Sequence, residues 1–392
     1  MTMKKIWNTA LPLCIRLGLG ILSPLVHAEG LLAVNNPAKN GLETGAYASA
    51  EVFEGNDQIA MAQYGNDWRG DYSPRSGQNL GLLAARGDVG AQWNGYRLGA
   101  LYRAEALVQA NRDTSDLVRQ YSSNSGYDAG RSYQIGYQIN GFEADGVRLS
   151  KSFQQNLNLN WQVSWGAGAS LLRGKQVKVE TASGQVTTLN AKDFNANVAQ
   201  TSTDSTLDTS GTGKFNSPYG VRPSVSGQGY ALDLGVVLLR QDGLRLEAAV
   251  NDLAGRMAWK NLPEYAANYA SAIKYYDANG YVRFNPTATA QSSYRDLTQT
   301  LDPKVWLAVG YPLGGFELQA ASSYTQGFWF PEAGVAYQLN PQWRLNADFD
   351  FRFNTVSMSV HHQWFYLALR TQSSDFDQSK AYGVSGGLNI RF

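Results

Sequence analysis

The chain has 392 residues, 43% of them hydrophobic and 17% charged, with 40 glycines and 12% aromatics. So many glycines and aromatics with so few charges argue against a disordered chain. The length would suit two or three soluble domains, but one large barrel can use all of it.

The first 28 residues read as a cleaved export signal. Lys4, Lys5 and Arg16 are its only charges, an apolar stretch runs from Leu17 to Val26, and Val26-His27-Ala28 supplies the cleavage site. That stretch is too short for a membrane helix, which needs about 20 apolar residues. The chain's single cysteine, Cys14, lies in this leader after Leu13, where a lipoprotein signal needs a small residue. A mature chain from Glu29 therefore has no thiol for a disulfide, a metal or a nucleophile. Removing three of 33 basic residues leaves 30 against 32 acidic ones, so nothing in the charge points to nucleic acid.

Beyond residue 29 the dominant pattern has a period of two. Leu157, Leu159, Trp161, Val163, Trp165, Ala167, Ala169 and Leu171 alternate with Asn, Gln, Ser and Gly. Trp343, Leu345, Ala347, Phe349, Phe351 and Phe353 alternate with charged and amide side chains, and Tyr230 to Leu238 repeats the pattern. Strand side chains point alternately to opposite faces, so one face is apolar and the other polar or small. Soluble strands usually alternate over five or six residues. Alternation over about ten suits tilted strands crossing about 30 Å of hydrocarbon. In a bilayer every backbone group must pair internally, so such strands must close into a barrel.

Short and long connections alternate along the chain. Tight turns are expected at Asn94-Gly95, 154–156, 241–243, 313–315 and 340–342, flanked by rings such as Trp93, Tyr96, Phe316 and Tyr337. Residues 111–131, 175–224 and 261–302 read as long polar outer loops. About fifteen candidate segments appear, the weakest being 44–54, 57–65 and 356–362, and a barrel of this type needs an even number. The fold class expected is all-β: a transmembrane antiparallel up-and-down β-barrel over residues 44–392, with about 14 strands and 16 as the alternative. Residues 29–43 would lie in the lumen as a plug or hang in the periplasm.

The last strand carries Tyr382, Val384, Gly386, Leu388, Ile390 and Phe392 on one face. An alternating strand closed by an aromatic carboxy-terminus resembles the C-terminal signal of bacterial outer-membrane barrels. The resemblance implies a Gram-negative outer-membrane location, outer-membrane lipids around the chain and recognition of Phe392 by the barrel-assembly machinery. A second resemblance rests on Tyr230 to Trp259, with its LDLG strand, tight turn and Asn251-Asp252-Leu253 ending. This stretch is similar to the long-chain fatty-acid transporter (FadL-like) superfamily and the related conjugal-transfer TraF-like barrels. Asn36-Pro37-Ala38 matches the start of a pattern in that family, but Lys39 stands where the family has glycine. The resemblance implies passive uptake of a hydrophobic molecule through a plugged 14-strand barrel.

The alternation turns Arg97, Arg103, Glu105, Glu143, Asp145, Arg148, Asp233, Arg245, Glu247, Arg344, Asp348, Asp350 and Arg352 into the lumen. Both signs are present, whereas a strongly ion-selective pore concentrates one sign at a constriction. Lumen salt bridges are the plainer reading, and a narrow polar path the sharper one. A ligand loop is also a candidate. Pro263-Glu264 can open a short helix, with Tyr265, Tyr269 and Ile273 on one face and Tyr276 beside them.

Catalytic and metal readings find little support. The mature chain has two histidines, His361 inward beside Ser357 and Ser359, and His362 outward with no evident outward serine. They lack a spaced third ligand for a metal. The chain is therefore expected to be no enzyme, without metal or other cofactor. The function expected is an outer-membrane channel for passive passage of small, hydrophobic molecules. The alternative is a non-conducting barrel that scaffolds an envelope, conjugation or secretion assembly.

Overall fold

The computed structural model describes residues 28–64, 67–207, 224–271, 274–276, 278–284 and 288–392. The leader expected over residues 1–28 lies outside them, save Ala28. A small hairpin comes first, with β1 (Ala28–Glu29) and β2 (Val34–Asn35), then a 3-10 turn at Pro37–Lys39. The first wall strands are β3 (Gly45–Asn56), β4 (Gln78–Trp93), β5 (Tyr96–Asn111), β6 (Ser132–Asn156) and β7 (Trp161–Thr188). Next come β8 (Phe194–Asp204), β9 (Ser226–Arg240), β10 (Arg245–Asn251) and β11 (Gly255–Ala270). After a small hairpin, β12 (Lys274–Tyr276) with β13 (Val282–Phe284), the wall resumes with β14 (Ala288–Leu301) and β15 (Lys304–Leu313). It is completed by β16 (Phe316–Thr325), β17 (Phe328–Asn340), β18 (Trp343–Asp350), β19 (Thr355–His362), β20 (Phe365–Thr371) and β21 (Ala381–Arg391). Two helices, α1 (Met61–Tyr64) and α2 (Arg112–Ser123), lie in connections, so the segment at 57–65 is no wall strand.

Strands β3 to β11 and β14 to β21 close one antiparallel barrel, with β21 pairing β3. Among the described residues no helix is long and apolar enough to cross a membrane. The closed sheet thus has seventeen segments rather than the expected 14, and the alternative of 16 lies nearer. The excess comes from interruptions. Both β8 and β9 pair with β7 in the same direction, one above the other, and residues 205–225 lie between them in sequence. Both β10 and β11 pair with β9 across a break at 252–254, where Asp252 is left-handed at φ 58°. The same two strands pair onward with β15 and β14, which are split at Asp302-Pro303.

Outward positions carry the apolar face. Leu149, Trp165, Leu232, Leu318, Leu345 and Leu367 are all exposed, as a hydrocarbon-facing belt requires. Ring pairs edge it beside the short turns: Phe153 and Trp165 stack with centroids 4.3 Å apart, and Trp93 and Tyr96 at 5.7 Å. The Asn94-Gly95 turn has φ of 45° and 76° at its central residues, the left-handed pair that a two-residue hairpin needs. The next short turn falls at 157–160, since β6 continues to Asn156.

The opposite end corrects three expected loops. Residues 111–131 carry α2, capped by Asn111, whose side chain accepts from the Thr114 N–H. Residues 175–188 continue β7, 194–204 form β8, and 255–270 form β11. These extensions read as loops because above the bilayer neither face needs to be apolar, so the alternation fades. Pro263 opens no helix. It sits in β11 between the last residue paired with β9, Lys260, and the first paired with β8, Glu264. With no partner on that edge, a missing N–H costs the sheet nothing.

Candidate functional site

The lumen is filled on one side by residues 31–40. Leu31, Leu32 and Val34 are at most 3% exposed. They pack with Phe53, Leu80, Leu82, Leu107, Trp306, Phe330 and Phe353 of the wall. The backbone of Asn35 is held by a reciprocal amide pair: its N–H donates to Asn251 Oδ1 and its carbonyl accepts from Asn251 Nδ2, both at 2.7 Å. Asn36 caps the following turn by accepting from the Ala38 N–H at 3.0 Å. The turn rests on Gly166 of β7 and Gly235 of β9, which are cross-strand partners. A Cβ on Gly235 would stand 2.0 Å from Asn36 Oδ1, and one on Gly166 2.5 Å from the Pro37 backbone. Only glycine admits so close a backbone approach. Lys39 then reaches Glu247 at 2.7 Å, and Asn40 donates to Ser150 Oγ at 2.9 Å.

Ion pairs bridge the rest of the lumen. Arg103 of β5 meets Asp252 at the β10–β11 break, at 2.6 Å, and Glu105 at 2.7 Å. Lys304 joins the same two carboxylates at 2.9 and 2.7 Å. Arg148 pairs with Asp233 at 3.0 Å, and Arg97 lies over the Tyr47 ring at 3.4 Å. Arg245 bonds Glu247 at 2.9 Å and Glu317 at 2.8 Å, and Arg344 bonds Glu317 at 3.0 Å. Arg352 pairs with Asp57, and Asp350 accepts the backbone N–H of Arg352 and Phe353. Each such buried group needs its partner, since an isolated buried charge is costly.

The predicted inward charges thus take lumen positions in several separate clusters, with two exceptions. Glu143 and Asp145 face outward, opposite Ala104 and Tyr102, because the inward register on β6 runs through the even-numbered Ala144, Arg148 and Ser150. On the outside Asp145 pairs with Arg173 at 2.6 Å, and Lys175 lies 3.4 Å from Asp145 and 4.0 Å from Glu143. Asp252, Lys304, Arg370 and the glycine pair were missed. Asp252 had a sequence signal in the Asn-Asp-Leu ending of its strand, but the glycines carry none that periodicity can detect.

The tyrosine loop is a strand, not a helix. Tyr265 and Tyr269 still share a face, since a spacing of four keeps one side of a strand too, and Tyr269 donates weakly to Gln200 at 3.4 Å. Ile273 lies outside the described residues, and Tyr276 falls in β12. Tyr382, Val384, Leu388 and Ile390 of β21 pair along β3 at barrel closure, and just beyond the strand the Phe392 N–H donates to the Thr44 carbonyl at 3.0 Å. His361 lines the lumen with its Nε2 2.9 Å from Ser359 Oγ and 3.0 Å from Asn346 Nδ2. His362 sits among Trp343, Trp364 and Phe365.

Two cavities flank the buried segment. The larger, about 560 Å³, lies between it and the β15–β21 wall, roofed by Leu31, Trp306 and Phe53 and reaching Asn389 near the short turns. The smaller, about 60 Å³, lies on the other side against Leu32, Leu82, Leu107, Phe142 and Leu301, with polar neighbours such as Lys304.

A closed antiparallel barrel with an apolar outer belt and ion pairs across its lumen defines the class as a membrane β-barrel. Residues 75–376 match a protein family described as a family of unknown function, DUF5723, and the chain belongs to that family. No curated protein matches it. Among solved structures it is similar to the toluene transporter TodX of Pseudomonas putida, at 12% identity over 91% of this chain and 92% of that one, with a TM-score of 0.43. It is also similar to a FadL homologue of Pseudomonas aeruginosa, at 11% identity over 95% and 100%, with a TM-score of 0.39. The toluene transporter TbuX of Ralstonia pickettii aligns at 10% identity over 96% of both chains, with a TM-score of 0.32.

Proposed function

We propose that the chain is an exported outer-membrane channel in which residues 29–43 form a removable plug for small, hydrophobic solutes. One observation carries this reading. Leu31 and Leu32 sit back to back between the two cavities, each lining one of them. Moving this segment would join the two cavities. Passage would be passive, driven by the solute gradient alone. Outer-membrane lipids, the barrel-assembly machinery acting on Phe392, and removal of residues 1–28 belong to the same reading.

A second reading, a non-conducting scaffold, is favoured by the Arg103–Asp252–Lys304–Glu105 network tying non-adjacent strands across the lumen. Uptake of a small aromatic hydrocarbon into proteoliposomes separates the two. The plugged channel predicts slow uptake by the full mature chain and at least tenfold faster uptake when residues 29–43 are deleted. Equal, background uptake by both, from barrels that remain heat-modifiable, would leave the scaffold standing.

A further inference from the structure

We infer that the larger lumen cavity is a binding site for a small apolar molecule bearing a protonated amine. Its roof is apolar, made by Leu31, Phe53 and Trp306. Just below the roof the wall is acidic. Glu332, Asp348 and Arg370 all line the cavity, and Asp350 is the cross-strand partner of Glu332. Arg370 bonds Glu332 Oε2 at 2.9 Å, and Arg370 is the counter-ion for this group. Asp350 is spent on the two backbone N–H groups of its turn. Arg344 also borders the cavity but is committed to Glu317 and Asn346, each at 3.0 Å.

Two acceptors are left over. Glu332 Oε1 is buried without a hydrogen-bond partner, on a side chain that is 7% exposed. Asp348 faces the cavity from the next inward row of the wall, opposite Gly334, and no ion pair holds it among the described residues. The other cations lining the cavity, Lys39, Arg245, Arg344 and Arg391, are paired with Glu247, Glu317 and Glu43. At this corner three carboxylates therefore face one guanidinium and attract a further cation in a low-dielectric wall. A buried acceptor of this kind calls for a donor. A primary ammonium supplies three donors and a compact positive charge, and the roof above accepts an apolar body. A neutral hydrocarbon would satisfy the roof and leave both carboxylates unmet.

This site rests on the channel reading for its biological use, since it names a solute class for the proposed passage, but binding is measured without passage. The experiment is calorimetric titration of the refolded full mature chain with 2-phenylethylamine and with its neutral counterpart 2-phenylethanol. The amine is expected to bind at least tenfold more tightly. That preference should fall to about twofold or less in Glu332→Gln and in Asp348→Asn, with 2-phenylethanol affinity unchanged as the sign that the cavity is intact. Asp145→Asn, on the outer face, should keep the full preference. Equal affinity for the two probes in the unaltered chain, or a preference that survives both substitutions, would overturn the site. If Glu332→Gln fails to fold, Asp348→Asn alone decides, since Asp348 has no ion pair among the described residues for the fold to lose. Amine binding without amine uptake into proteoliposomes would count against the channel while leaving the site in place.

Discussion

The two sides of the barrel are built by different rules. On the β6–β7 side the wall is tall: these strands run 25 and 28 residues, more than twice the 9–11 or so that cross a bilayer. On the β18–β20 side the strands of 8, 8 and 7 residues fall just short of that length. The tall side has a core of its own, in which Phe142, Leu172, Met257, Trp259 and Leu262 pack together without residues 28–43. The low side borrows its core, because Phe53, Trp306, Phe330 and Phe353 are covered by Leu31, Leu32 and Val34. A wall that owns its packing can be rigid, and one that leans on a separate segment can change state when the segment moves.

The comparison can be broken in several places. The largest effect is expected from Arg103→Ala, which strips Asp252 and Glu105 of their main counter-ion at the junction of the two sides. Loss of one partner of a buried pair costs about 3–5 kcal/mol, read as a lowered urea midpoint. Leu232→Arg on the tall side and Leu345→Arg on the low side each place a cation in the hydrocarbon belt, for about 2–4 kcal/mol. Equal costs at the two sites, measured by the same unfolding assay, would show that lipid exposure and not wall height sets the outer face. Gly235→Leu removes the seat of the 36–39 turn and should raise solute uptake severalfold while heat-modifiability persists. Uptake no faster than in the unaltered chain would mean that the turn finds another seat. The smallest effect belongs to Arg173→Ala, whose partner Asp145 is an outer-face neighbour. An ion pair this exposed contributes little, so its unfolding midpoint should hardly move.

Much of the barrel was legible because the bilayer imposes a two-residue period with one apolar face. Leu149, Leu232 and Leu345 announce their orientation by alternation alone. Legibility ends where that constraint ends. Above the membrane β8 has polar residues on both faces, and Tyr265 and Tyr269 of β11 fit a helix and a strand equally well. Strand breaks at Asp252 and Asp302 split wall strands in a way a count of apolar runs does not show. Inside the lumen the alternation names which charges point inward but not which ones meet. Arg103 and Asp252 are 149 positions apart, and only the closure of the barrel makes them neighbours. Glu143 and Asp145 were misplaced because their parity conflicts with that of Arg148 in the same strand.

The seat made by Gly166 and Gly235 also fixes an order of events. It does not exist until β7 and β9 have come into register, and its two halves are contributed by residues far downstream of the turn they receive. Asn36 and Pro37 therefore precede their seat along the chain yet can be seated only after those two strands have paired. A chain interrupted just before that step would have β7 and β9 paired and its lumen still open to the segment that precedes them.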